Sequence, residues 1–184
     1  ARRVVAAAAL RAARFGDGVR MRPAESFDLA ALHALIESAY RGERARAGWT
    51  HEADLIEGPR TSLAELQALI DDPDELLLLV EEADGLIGCV QLSRRSAAAA
   101  YLGLLTVSPG RQGGGLGKRI MAEAEAEAAR HFGSRTIEMT VVSQRPELIA
   151  YYERRGYALT GERRPFPVPL DPPLQFVVMR KALP

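Results

Sequence analysis

The sequence is poor in the residues that build disulfides and metal sites. It contains one cysteine, Cys89, so the chain forms no internal disulfide, and a free thiol is typical of a reducing compartment such as the cytoplasm. Its three histidines, His33, His51 and His131, are too far apart in the sequence for a zinc-ligand spacing. We therefore expect no metal cofactor.

Net charge and long apolar runs are also missing. The 24 lysines and arginines are matched by 24 aspartates and glutamates. Because nucleic acid and anionic membranes attract an excess of positive charge, this balance predicts neither partner. No apolar run approaches the roughly 18 residues of a membrane span. We expect a cytoplasmic protein.

The chain does contain enough apolar residues for a core. Its 184 residues are 47% hydrophobic, which predicts one folded domain. Residues 1–18 differ from the rest, with seven alanines, four arginines and no acid before Asp17. Alanine favours helix, so we interpret residues 1–18 as a helical N-terminal extension, with the helix over about 2–14, and residues 19–184 as the domain.

Hydrophobic periodicity predicts an α/β (α+β) domain. Over residues 19–181 the order is strand, two helices, three strands, helix, strand, helix and two strands. The first helix is expected over about 27–41, the second after a cap at Thr61 or Ser62, and the last between Pro146 and Gly156. Asp84-Gly85 predicts a hairpin turn.

The most informative segment is RQGGGLGKRIM, residues 111–121. A strand that ends at Val107 leads into this glycine loop, which leads into a helix. Glycines let a ligand approach the backbone, and the amides of a helix N-terminus bind anions. Cations at Arg111, Lys118 and Arg119 are disfavoured beside the positive end of a helix dipole unless an anion lies there. The loop therefore indicates a phosphate site; a tight turn with solvated cations is the alternative.

Two common phosphate motifs do not fit. A Walker loop needs glycine where Gln112 stands and serine or threonine where Arg119 stands. The dinucleotide pattern G-x-G-x-x-G needs glycine at Lys118. Kinase, ATPase and dehydrogenase functions are therefore disfavoured.

The stretch VSPGRQGGGLGK instead resembles the acyl-CoA-binding motif of the GNAT superfamily of N-acetyltransferases. The matching positions are Val107, Pro109, Gln112, Gly115 and Gly117. Downstream, AYYERRGY at 150–157 resembles a second segment of that family, and the order of elements agrees over 19–181. The resemblance implies a mixed, mostly antiparallel sheet of about seven strands, flanked by helices and splayed between the fourth and fifth strands.

The resemblance also implies acetyl-CoA as co-substrate and assigns residues to it. Backbone amides of the loop would bind the pyrophosphate, and the main chain of the preceding strand would pair with the pantetheine, one amide polarising the thioester carbonyl. Tyr152 would protonate the departing thiolate; a core aromatic is the alternative for that residue. The implied cofactor-binding residues are Leu105, Thr106, Val107, Gln112, Gly113, Gly114, Gly115, Leu116, Gly117 and Lys118.

The general base is where the sequence departs from the family. Many relatives carry a glutamate in the strand before the loop, where this chain has Gly103 and Leu104. Glu138 and Glu52 are the candidate bases; a water relay or a weakly basic amine would serve equally. Arg145 stands where relatives often have asparagine, and it could bind a CoA phosphate, a substrate carboxylate or only solvent.

The resemblance implies that the acceptor is a small-molecule or peptide amine. The polar segment between the first two helices, where the family places acceptor contacts, contains the chain's only tryptophan. The acceptor-site candidates are Tyr40, Trp49, Thr50 and Glu52. A non-catalytic acyl-CoA-binding sensor is the alternative function, and both monomer and homodimer remain open.

Overall fold

We describe a computed structural model of residues 13–14, 18–41, 58–167, 170–171 and 173–184. The acceptor-site candidates Trp49, Thr50 and Glu52 and most of the predicted N-terminal helix lie outside these residues. Ala13–Arg14 form a short strand, so the helix expected over 2–14 does not include them. Among the described residues no helix has the length and apolar character of a membrane span.

The chain divides into two compact units. The first comprises Ala1–Ser93 with Leu104–Ala124, and the second comprises Arg94–Gly103 with Glu125–Pro184. The described strands are β1 (Ala13–Arg14), β2 (Arg20–Pro23), β3 (Glu75–Glu82), β4 (Gly85–Arg94), β5 (Ala99–Val107), β6 (Thr136–Val142), β7 (Ala158–Pro165) and β8 (Gln175–Ala182). The helices are α1 (Leu29–Tyr40), α2 (Leu63–Asp71), α3 (Leu116–Phe132) and α4 (Pro146–Glu153), with short 3-10 turns at Ser26–Asp28 and Pro109–Arg111.

In the first unit, antiparallel pairing joins β1 to β2, β2 to β3 and β3 to β4. The β3–β4 hairpin turns at Gly85, whose φ of 127° favours glycine, as the Asp84-Gly85 signal predicts. Ser62 caps α2 by accepting a hydrogen bond from the Glu65 amide at 3.2 Å. Alternating residues of β3 pack with α1 and α2 into a core of Leu32, Ile36, Leu66, Leu77, Leu79, Cys89 and Leu104.

In the second unit, β6 pairs with β8 and β8 pairs with β7, both antiparallel. The parallel register of β5 with β6 covers three pairs, from Ala99↔Thr136 to Tyr101↔Glu138, although both strands continue. This short register confirms the break in pairing expected between the fourth and fifth predicted strands. The mixed sheet with flanking helices confirms the predicted fold class.

Strand β7 is the last strand in the pairing order of the second unit. Nearly all of its residues are exposed, and its register with β8 shifts between Leu159 and Arg163. Gly161 lies in this shift with a φ of 84°, a conformation that glycine adopts without strain.

Candidate active site

The glycine loop comes after β5 and the 3-10 turn at Pro109–Arg111, and it leads into α3, which begins at Leu116. Gly113 and Gly115 have φ of 84° and 80°, values that side chains other than glycine rarely adopt. A Cβ built at Gly113, Gly114 or Gly115 would meet no atom within 4 Å. The loop backbone is therefore open on these sides, as a phosphate-binding loop requires.

The N-terminus of α3 supplies amide donors at the same place. The amide of Arg119 donates to the Gly115 carbonyl at 3.2 Å, which is the first turn of the helix. The amides of Leu116, Gly117 and Lys118 come before that bond, and amides at this position have no acceptor inside a helix. Together with the helix dipole and the exposed side chain of Lys118, they form a site with the chemistry to bind an anion.

Three contacts hold the loop and the turn before it in place within the first unit. The Ser108 amide donates to the Ile87 carbonyl at 2.8 Å, and Gln112 Nε2 donates to the Val107 carbonyl at 3.2 Å. Arg111 forms an ion pair with Glu82 on β3. Of the three cations that the sequence offered to an anion, Arg111 is thus engaged by a carboxylate, a partner 29 residues away that the local pattern does not reveal.

Strand β5 departs from extended geometry at Leu104, just before the loop. Leu104 has a φ of 45°, in the left-handed region that is unfavourable for a residue with a Cβ. Its carbonyl accepts hydrogen bonds from Thr106 Oγ1 at 2.9 Å and from Cys89 Sγ at 3.5 Å. The next carbonyl, that of Leu105, accepts from the Tyr40 hydroxyl at 2.8 Å. Tyr40, chosen from the sequence as an acceptor contact, is thus bonded to the strand itself.

Glycine is required in β4 opposite this part of β5. A Cβ at Gly88 would lie 2.8 Å from the Thr106 carbonyl oxygen and 2.9 Å from Ile120 Cδ1. Both distances are shorter than real Cβ contacts, so only glycine fits here without a shift of the backbone. Periodicity alone gave no signal for this close approach.

Tyr152 lies on α4, in the second unit, and its side chain is buried, with 8% of the residue exposed. Its ring meets the edges of Tyr151 and Tyr157, with ring centroids 5.3 Å and 6.1 Å away. Tyr151 is half-buried beneath the guanidinium of Arg155, whose Cζ lies 3.3 Å from the ring centroid. The two neighbouring tyrosines therefore occupy different surroundings.

Glu138, the candidate base on β6, is held between two arginines. Its carboxylate accepts from Arg164 at 2.7 Å and from Arg180 at 2.9 Å. Burial alone would raise the pKa of this carboxyl, but the hydrogen bonds from Arg180 and Arg164 outweigh it and hold the pKa below the usual range. The ion pairs lower its basicity, and its role as the base stays a prediction.

The polar candidate Arg145 pairs with a residue close to it in the sequence. Arg145 precedes α4, is 5% exposed and donates from Nε to Glu147 at 3.0 Å. Within the described part of the chain, no group of three or more His, Cys, Asp or Glu side chains is placed to hold a metal ion.

Comparisons with known proteins agree with the sheet and its flanking helices. A family model described as the acetyltransferase (GNAT) family matches residues 30–157. No sequence among the curated proteins matches this chain. Among solved structures, the spermidine N-acetyltransferase of Vibrio cholerae in complex with CoA and spermine superposes with a TM-score of 0.68 at 21% identity, covering 91% of this chain and 97% of that one. An alanine N-acetyltransferase that acts on a ribosomal protein of Escherichia coli gives 0.69 at 17% identity, covering 90% and 94%.

Proposed function

This chain belongs to the GNAT family of acetyltransferases, and on that premise we propose that it transfers the acetyl group of acetyl-CoA to a primary amine. The observation that carries the proposal is the open glycine loop at the start of α3, with Gly113 and Gly115 at positive φ. A pyrophosphate carries the negative charge that this loop and the helix dipole favour.

In the proposed complex, the amides of residues 112–118 bind the pyrophosphate, and the main chain of Leu105, Thr106 and Val107 pairs with the pantetheine. The carbonyls of Leu105 and Val107 already accept bonds from Tyr40 and from Gln112. Since a carbonyl oxygen has two lone pairs, each can accept a second bond from a pantetheine amide.

In the proposed reaction, the amine nitrogen attacks the thioester carbon, and the carbonyl becomes an oxyanion that accepts from a backbone amide of β5. The C–S bond then breaks with its electrons on sulfur, and the Tyr152 hydroxyl protonates the thiolate. The proton that the attacking nitrogen loses as it becomes an amide returns to the Tyr152 oxygen through solvent. An alkylammonium of pKa ~10.4 must first lose a proton, at a cost of about 4–5 kcal/mol at pH 7. Glu138, Glu52 or water would accept that proton.

The acceptor is proposed to be a small-molecule or peptide amine. The similar structures include one enzyme solved with spermine and one that acts on a protein alanine, so both classes occur on this fold. Tyr40, Trp49, Thr50 and Glu52 are the proposed acceptor residues. The balanced charge of the chain supports such an acceptor in preference to nucleic acid, and the buried free thiol of Cys89 supports a cytoplasmic location.

The proposal is tested by binding and turnover together. Acetyl-CoA should raise the melting temperature of the wild type, and Gly115→Glu should abolish that shift because it places a carboxylate against the pyrophosphate. Gly133→Glu is the matched control: Gly133 follows the other end of α3, has a φ of 69° and is equally open. It should keep the shift.

Turnover is measured as free thiol released from acetyl-CoA in the presence of polyamines, amino acids and peptides with free N-termini. Amine-dependent release supports the enzyme. A thermal shift with no amine-dependent release would favour the acyl-CoA-binding sensor, and a shift unchanged in Gly115→Glu would refute the loop assignment.

A further inference from the structure

The left-handed conformation at Leu104 is accompanied by hydrogen bonds from side chains at three other positions. A left-handed leucine within a strand persists only where its surroundings enforce it. Here the Leu104 carbonyl accepts from Thr106 Oγ1 at 2.9 Å and from Cys89 Sγ at 3.5 Å, and both donor residues are almost completely buried. The Tyr40 hydroxyl, from the last residue of α1, fixes the next carbonyl at 2.8 Å.

These bonds also determine where one amide points. The peptide group between Leu104 and Leu105 is planar and trans, so its N–H is directed opposite to its C=O. Because the carbonyl of Leu104 faces Thr106 Oγ1 and Cys89 Sγ, the amide of Leu105 faces away from them. The Tyr40 hydroxyl donates to the carbonyl of Leu105, which belongs to the next peptide group. Leu105 is therefore restrained in the peptide group before it and in the one after it.

We infer that Tyr40 and Thr106 are positioning residues, whose hydroxyls hold the Leu105 amide in the orientation in which it donates to the thioester carbonyl of acetyl-CoA. This inference rests on the proposed function. Tyr40 would then act on the cofactor through β5, because its hydroxyl donates to the Leu105 carbonyl. The centroid of its ring lies 5.1 Å from Cζ of Arg60. The Thr106 side chain acts from the buried side, with 1% of the residue exposed.

Single-oxygen changes test the inference. Tyr40→Phe and Thr106→Val each remove one hydroxyl and keep nearly the same volume, and Thr106→Ser restores the hydroxyl. Tyr101→Phe is the matched control, because Tyr101 lies on the same strand and its hydroxyl is also hydrogen-bonded, to Thr140 at 2.8 Å. The affinities for acetyl-CoA and for CoA are measured separately by calorimetry, since CoA lacks the thioester carbonyl.

We expect Tyr40→Phe and Thr106→Val to weaken acetyl-CoA binding about fivefold, the effect of one lost hydrogen bond, while CoA binding stays within about twofold. For any amine that the wild type acetylates, kcat should fall about tenfold, because the oxyanion donor is misaligned. Thr106→Ser and Tyr101→Phe should behave like the wild type.

An equal loss of affinity for both ligands, or no change for either, would overturn the inference and leave the hydroxyls with a structural role only. If Thr106→Val does not fold, Tyr40→Phe decides alone, since it changes a different element. A wild type that binds neither ligand would refute the proposed function itself; a wild type that binds acetyl-CoA and variants that keep its preference over CoA would refute only the positioning role.

Discussion

At the scale of single residues, the two adjacent tyrosines of α4 differ in what surrounds them. Tyr152 is buried between aromatic edges, whereas Tyr151 is half-buried and covered by Arg155. Successive residues on a helix point about 100° apart, so the two phenols are unable to serve the same reacting atom. This difference allows one tyrosine to act as a control for the other.

We predict that Tyr152→Phe lowers turnover about 10²–10⁴-fold and leaves acetyl-CoA affinity nearly unchanged, because it removes only the proton donor for the thiolate. Tyr151→Phe should be nearly silent. The measurement is kcat with a good acceptor beside the calorimetric affinity for acetyl-CoA. Full turnover in Tyr152→Phe would make that residue a packing aromatic, with water as the proton donor.

At the scale of elements, the close approach of β4 and β5 depends on one glycine. Gly88→Ala would place a methyl group 2.8 Å from a backbone oxygen, which is unable to rotate away. We predict a loss of about 1–3 kcal/mol in the free energy of unfolding, the usual cost of overpacking. Gly110→Ala is the control, since it has open space and should unfold like the wild type in denaturant. Equal stability of both variants would show that the strands separate without cost.

Local patterns predicted most of the elements, and contacts between distant residues account for what they missed. The cap at Ser62 and the left-handed Gly156 after α4, with a φ of 88°, depend on a few neighbouring residues and are readable from the sequence. The left-handed Leu104 is not readable, because leucine disfavours that conformation and the partner of Leu105 is Tyr40, 65 residues away. The same reason hides Glu82 as the partner of Arg111.

At the scale of the whole molecule, each unit contains a carboxylate held by arginine. In the first unit, Asp28 accepts two bonds from Arg22, at 2.7 and 2.8 Å. These bonds are the main reason why the pKa of the Asp28 carboxyl is lowered, against the effect of its burial. In the second unit, the pKa of Glu138 is lowered by Arg180 and Arg164 despite its burial. Both carboxylates are therefore more acidic in the folded chain than in the unfolded one.

We predict that stability is lost in acid. A lowered folded pKa stabilises the protein fully above the unfolded values of about 3.9 for Asp and 4.3 for Glu, and this contribution disappears as the pH falls through the folded pKa. Asp28→Asn should cost about 3 kcal/mol at pH 7, because it leaves Arg22 without its main partner, and less at pH 3. Chemical denaturation at the two pH values measures this, with Asp84→Asn in the exposed hairpin turn as control. A cost that is equal at both pH values would contradict the prediction.

The irregular β7 strand has a consequence for how the protein behaves at high concentration. An exposed strand with regular, unpaired backbone groups can recruit a strand of another molecule and so begin aggregation. In β7 the shift around Gly161 interrupts that row, and the strand carries the charged side chains of Glu162, Arg163 and Arg164. A broken register and charged side chains both make an edge strand a poor template for another strand, so we expect β7 to resist edge-to-edge association.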